Sequence, residues 1–409
     1  MDIRLLEKYA AFAVQVGANV QKGQTLMITA PVEAAPFARL CAEQAFLAGA
    51  GDVVMRWSDE AIARSRYKYA AEKTLCDVKP WQLRSYLDYA ESAEGMSILH
   101  ILAEDPEAFL GLDAEKINRA SAAARKALAP WREYTMKDKI AWSIVAVPSE
   151  NWAKKVFPNE ADPVEKLWQA IFDVCRVTGG DPVGEWKAHV AKLTACRDKL
   201  NRLDLAAVRL ESANGTDLTV GLADTARWEG AQSHTPAGQT FIANLPTEEV
   251  FTAPHKDKVE GIVYATKPYV YHGDLIEGLW VRFERGRVVE YGAKKNEKLL
   301  GMLLDTDEGS RSIGELALVP KESPINKSGV LFYNTLFDEN AACHIAFGDG
   351  YPGTVEGGNS LSAEELSARG VNSSLVHEDV MVGAEDMTIT GITKDGQKVP
   401  IFENGSWAL

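Results

Sequence analysis

The chain has 409 residues, 46% of them apolar and 25% charged, the profile of an ordinary globular protein with room for two or three domains. Its 58 acidic and 44 basic residues leave a net charge of −14 and no polybasic block, which excludes a nucleic-acid binder because phosphate contacts need clustered lysine and arginine. Five scattered cysteines, Cys41, Cys76, Cys175, Cys196 and Cys343, form no CxxC pair; this excludes a zinc ribbon and predicts reduced thiols in a cytoplasmic protein.

Along the chain, the opening MDIRLLEKYAAFAVQVGANVQKG is interrupted by Arg4, Glu7 and Lys8, while Leu5, Tyr9, Phe12 and Val16 fall at helical spacing. It predicts an amphipathic first helix, not a targeting segment. No uncharged apolar run of about 18 residues occurs, so no membrane span is expected. TLMITAP (25 to 31), an alanine-rich helical stretch over 33 to 48 closed by Gly49, and DVVMRW (52 to 57) make a βαβ unit, which favours parallel pairing. SILHILA, the helix-like 113 to 129 and IAWSIVAVP repeat the theme. No GxGxxG follows any of these strands, so the layout alone implies no dinucleotide. Two further helical stretches each open with Asp-Pro, an N-cap followed by N1.

After about residue 204 the texture changes. AAVRLESANGTDLTVGLA sets Asn214-Gly215 between alternating runs, a hairpin signal, and strand and turn patterns dominate from there. The expected fold is α/β: an N-terminal βαβ-type domain over 1–200 and a strand-rich α+β domain over 201–409, with the boundary near 195 to 204. Five of the seven histidines, His234, His255, His272, His344 and His377, lie in the second.

Four groupings there bring acids together with imidazoles. NLPTEEVFTAP carries adjacent Glu248 and Glu249 before an apolar pair, which taken alone reads as a solvated turn. In RSIGELALVP, Glu315 shares a strand face with Ala317 and Val319; a carboxylate there needs a partner, since an unpaired buried charge costs at least several kcal/mol, and Arg311 is the plain structural choice. In the third grouping GVLFYNTLF and CHIAFG read as strands with DENAA between them, so that a turn can bring Glu339 and His344 to one point while Asn340 orients a neighbour. In SLVHEDVMVG, His377 and Asp379 share one face, a workable pair of transition-metal ligands or a surface ion pair. Several carboxylates with two imidazoles suit two divalent ions bridged by a carboxylate, with Zn²⁺, Co²⁺ or Mn²⁺ fitting the donor set. Periodicity leads to a possible metal site and no further.

NLPTEEVFTAP, GELALVP, LFYNTLFDENAACHIAFG with GYP, GVNSSLVHEDVMVG and GITKDGQKVPIFENGSWA, in this order, closely resemble the thermophilic-type aminopeptidases, metallopeptidase family twenty-nine. The resemblance implies a two-metal exopeptidase removing N-terminal residues from short peptides, with the second domain catalytic. Carried over by motif, the metal ligands are Glu249, Glu315, Glu339, His344, His377 and Asp379, with Glu315 as the bridge. Tyr351 of GYP is implied to stabilise the oxyanion; the substrate's free amine calls for a metal or an acidic side chain, for which Glu248 is the candidate. The family also implies a homodimer with an enclosed site. Glu378 stands where an apolar residue is more usual; its place on the apolar face suggests a local pairing.

Other readings remain: another two-metal hydrolase, a cysteine hydrolase using Cys343, or a non-enzymatic binding protein with a solvated acidic rim. Against the second, Cys343 and His344 are neighbours and point to opposite faces of a strand.

Overall fold

The computed structural model describes residues 2–103, 105–271 and 273–409; His272 lies outside the described residues. The chain divides into two compact units interleaved in sequence. Unit one comprises Met1–Val190, Gln232–Thr247 and Leu331–Leu336, and unit two Ala191–Ala231, Glu248–Val330 and Phe337–Leu409.

Unit one is built on a four-stranded parallel sheet, β1 (Thr25–Pro31), β2 (Asp52–Ser58), β3 (Met96–Leu102) and β4 (Ala141–Ala146), in the order β2-β1-β3-β4. Parallel neighbours need a crossover, and the helix Ala35–Ala48 supplies the first. Pro36 sits in its first turn, where a missing N–H costs nothing, and Gly49 closes it at φ 96°, a conformation glycine adopts without Cβ strain. The helical stretch expected over 113 to 129 is two helices, Ala114–Ala127 and Ala129–Met136. Pro130 opens the second because it cannot continue the first. Met27, Met96, Ile98, Ile140 and Trp131 pack into one core, with Trp131 stacked on Tyr86 at 4.6 Å. The first Asp-Pro helix, Pro163–Val174, is capped by Asp162, which accepts from Glu165 N at 3.0 Å.

Two larger antiparallel sheets make up most of the strand structure of unit two, beside a two-stranded ribbon of Tyr269–Tyr271 and Asp274–Ile276. The larger has eight strands and begins with the hairpin Leu205–Glu211 and Asp217–Leu222, turned at Asn214-Gly215 with Gly215 at φ 102°. The smaller has five strands: β5 (Glu229–Gly230), β6 (Val250–Thr252), β7 (Ile313–Leu318), β8 (His344–Gly348) and β9 (His377–Met381), in the order β9-β8-β7-β6-β5. Every residue of β7 and β8 is buried, so any charged side chain on them must find its partner inside the protein.

The stretch GVLFYNTLF is not a strand. Tyr333 takes φ 55°, and the Asn334 side chain accepts from Leu336 N at 3.1 Å, so the chain turns into the short helix Thr335–Asp338 and then the 3-10 turn Glu339–Ala341. A side-chain cap at Asn334 competes successfully with the extended pattern that the alternating apolar residues suggest.

Candidate metal centre

Register assembles the site. Across β7, β8 and β9, Glu315 pairs with Ala346 and Ala346 with Asp379, while His344 stands opposite Ala317 and Met381, and Gly348 opposite His377. Opposed residues of antiparallel strands share a face, so Glu315, His344, His377 and Asp379 all project to one side. The central strand offers only Ala346 and Gly348 between them, which leaves the middle of this face open. Phe251 of β6 is paired with Ala317, extending the same face toward Glu249, two residues earlier.

The side chains converge. His344 Nε2 lies 3.1 Å from Glu249 Oε2, 3.7 Å from Glu315 Oε1 and 3.8 Å from Asp379 Oδ1. His377 Nε2 lies 3.3 Å from Glu315 Oε2 and 3.6 Å from Asp379 Oδ1. Two triads of ligand atoms result, Glu249–Glu315–His344 and Glu315–His377–Asp379, each drawn within 4.8 Å. Glu315 belongs to both and turns one oxygen to each imidazole. Glu339 and Asp338 lie outside these triads, although both are buried. Glu339 sits in the turn before β8 and feels the charges of Asp379, Glu249, His344 and Glu315. Glu249, not Glu248, enters the convergence.

Surrounding groups aim the ligands. His377 Nδ1 donates to Asp349 O at 2.7 Å and His344 Nδ1 to Ala342 O at 3.2 Å, leaving each Nε2 free to face the cluster. Gly314 makes the first of these possible: a Cβ there would stand 2.3 Å from Asp349 O. Asn340 is fully buried; it donates to Glu339 Oε1 at 3.3 Å and accepts from Glu248 N at 2.7 Å. Tyr351 is set edge-on to His377 at 4.9 Å and to Phe251 at 5.7 Å. Asp349 O and Phe251 carry no sequence signal, because their places depend on which strands pair, and Ala342 O carries none because a backbone carbonyl has no side-chain signature.

Burial opposes every charge in the cluster. It pushes Glu339 well above the usual carboxylate range, reinforced by Asp379 and Glu249, and raises Asp379 as well. Burial also acts to raise Glu315, but the two imidazoles outweigh it and bring the carboxyl down to about 2. It acts to lower both histidines, yet Glu249 and Glu315 raise His344 well above its ordinary value, and Asp379 with Glu315 raises His377 to about 10. The imidazoles thus hold protons as counter-charges. Burial first, then Glu315 and Asp379, push the Tyr351 hydroxyl well above its usual range, so it stays a donor.

Protons serve this cluster poorly. Two carboxylates about 5 Å apart repel by roughly 3–4 kcal/mol at an effective dielectric near 20. Among the described residues, no lysine or arginine pairs with Glu249, Glu315 or Asp379, and Glu249 Oε2 and Asp379 Oδ1 are buried without a hydrogen bond of acceptable geometry. Carboxylate oxygens and imidazole nitrogens around an unsatisfied negative centre fit divalent cations. The plain structural partner for Glu315 is engaged elsewhere: Arg311 binds Asp305 at 2.6 Å.

Two neighbours take supporting places. Burial pushes the Cys343 thiol up to about 11, and its Sγ donates to Val319 O at 3.3 Å, so it is a packed thiol and not an activated nucleophile. Glu378 projects from the opposite face of β9, where the Tyr269 hydroxyl donates to it, the local pairing expected of that position.

A family model described as thermophilic metalloprotease (M29) matches residues 3–407. The chain is 44% identical over 406 residues to aminopeptidase 2 of Geobacillus stearothermophilus, covering 99% of this chain and 98% of that protein. It is also 44% identical over 407 residues to aminopeptidase T of Thermus aquaticus, with the same coverage. Wild-type AmpT from Thermus thermophilus superposes with a TM-score of 0.91 at 42% identity, each chain covered completely.

Proposed function

The chain belongs to the thermophilic metalloprotease family M29 and is a metal-dependent aminopeptidase; we propose that it works with two divalent cations per chain, and that Glu315, common to both ligand triads, would be a ligand of each. The observation carrying this reading is that Glu315 directs one oxygen to His344 and the other to His377 while sharing a ligand triad with each. Glu249 and His344 would hold one cation and His377 and Asp379 the other, with Glu339 completing the set. Zn²⁺, Co²⁺ and Mn²⁺ all suit carboxylate and imidazole donors. A pair of such ions supplies acidified water and Lewis-acid polarisation of a peptide carbonyl.

The chain's own residues do the rest. Nδ1 bonds to Asp349 O and Ala342 O keep the two imidazoles facing the cluster. A cluster carboxylate accepts the proton of the attacking water and delivers it to the departing amine. Tyr351, held as a neutral hydroxyl, donates to the oxyanion that develops on the first peptide carbonyl. The substrate's free amine needs a metal or an acidic side chain, and Glu248, buried beside Glu249 with its backbone N–H held by Asn340 Oδ1, is assigned to it. The functional protein is taken to be a cytoplasmic homodimer acting on short peptides; no helix among the described residues is long and apolar enough to cross a membrane.

Metal analysis of the purified protein, paired with a panel of aminoacyl-4-nitroanilides, tests this reading. Stoichiometric divalent metal and cleavage that requires a free amine are expected. A metal-free active protein, or equal cleavage of N-acetylated substrates, overturns it. Tyr351→Phe is expected to lower kcat roughly 10²–10³-fold with little change in KM, because the lost hydrogen bond forms only in the transition state. An unchanged kcat removes Tyr351 from the chemistry.

A further inference from the structure

A cavity of about 240 Å³ opens in unit two among residues that include none of the converging ligands. Its floor is apolar: Val319, Cys343, Met387 and Phe402 line it, and none is more than 2% exposed. Its rim carries Lys267, Lys321 and Glu385. Both lysines are half-buried and Glu385 is exposed. Among the described residues, no ion pair or side-chain hydrogen bond engages any of these three head groups. Glu322, next to Lys321 and attracted to it, accepts from Ser406 Oγ at 2.7 Å.

Two ammonium groups and one carboxylate around an apolar floor are the complement of a small zwitterion with an apolar tail. A ligand carboxylate meets the lysines through charge-assisted hydrogen bonds, its ammonium meets Glu385, and its side chain covers the floor. The volume lies just below the range of drug-sized pockets, roughly 300–1,000 Å³, so one amino acid suits it and a nucleotide does not. Inorganic phosphate would satisfy the lysines but leave the floor bare.

We infer that this cavity binds a free amino acid with an apolar side chain. That ligand is the product class of an aminopeptidase, and this part of the inference rests on the reading of the metal centre given above; the cavity itself stands on its own residues. The wall continues through Ala341 and Ala342, which join Glu339 to His344, so occupancy bears on the segment that carries two of the proposed ligands.

Calorimetric titration of the metal-loaded protein with L-leucine tests the site. Two leucines per chain are expected, one at the metal centre and one here. The Lys267→Glu, Lys321→Glu double variant should bind one while hydrolysing leucyl-4-nitroanilide as the parent does, which also shows that it folds. L-Leucinol, which lacks the carboxylate and has no amide bond to hydrolyse, should fill the metal centre alone. A single leucine per parent chain that the double variant retains, or two retained by the double variant, overturns the cavity. If nitroanilide turnover is absent while lysine-dependent leucine binding persists, the cavity stands and the reading of the metal centre falls.

Discussion

Glu315→Gln is expected to lower kcat/KM by roughly 10³-fold or more, since even a residue that only supports a metal ligand is worth roughly 10–100-fold. The reason is geometric. Glu315 is the one side chain shared by both triads, and its two oxygens face different imidazoles at 3.7 and 3.3 Å. Glutamine keeps the volume but replaces one oxygen by an NH₂ donor, which points hydrogens at whatever occupies that half of the site. The fold should survive, because every residue of β7 is buried and glutamine keeps the side-chain volume, so the substitution leaves no void. A thermal midpoint within about 5 °C of the parent is expected. Turnover at the parental rate would remove Glu315 from the site. Loss of the folded state with loss of activity would make it a structural carboxylate instead.

Alternation along single strands carried the sequence reading furthest. His377 and Asp379 on one face of β9, and Glu315 with Ala317 on one face of β7, follow from the period of two and need no partner strand. Glu378 could likewise be assigned to the other face, where Tyr269 meets it. What one strand cannot reveal is its neighbour. That Ala346 lies between Glu315 and Asp379 depends on the register of three strands separated by 25 or more residues of chain. The imidazole acceptors are backbone carbonyls, Asp349 O and Ala342 O, which have no side-chain signature. The same limit explains GVLFYNTLF: its apolar residues suggest a strand, but the Asn334 side chain caps Leu336 and turns the segment helical. Interleaving of Gln232–Thr247 and Leu331–Leu336 into unit one leaves no local mark either, because those segments carry ordinary loop and apolar composition. Motif likeness reached past these limits because it summarises pairing already solved in other chains.

Removing the divalent cations is expected to abolish turnover completely, and restoring them should be steeply pH-dependent. In the cation-free cluster burial disfavours charge on both imidazoles, yet neighbouring carboxylates raise His344 well above its usual value and His377 to about 10. Both are therefore protonated at neutral pH, and an imidazolium has no lone pair to give. Each cation must displace a proton from its histidine, and Glu339, whose carboxyl burial holds well above its usual range, gives up another when it joins the set, so about two to three protons should leave per chain on loading. The sign follows: raising the pH removes competing protons, that of His377 as the pH approaches about 10, and tightens binding, whereas lowering it weakens binding. Chelator-treated protein titrated with Zn²⁺ or Mn²⁺ in buffers of different ionisation enthalpy measures the release directly. Binding without proton release, or with equal affinity at about pH 6 and about pH 8, would take His344 and His377 out of the ligand set. Loading should also raise the thermal midpoint, by linkage worth about 4 kcal/mol at a thousandfold excess over Kd. The carboxylates that repel one another in the empty cluster become the donors that bind, so activity and stability should return together along one titration. A protein that regains stability without turnover would hold its cations away from Glu315.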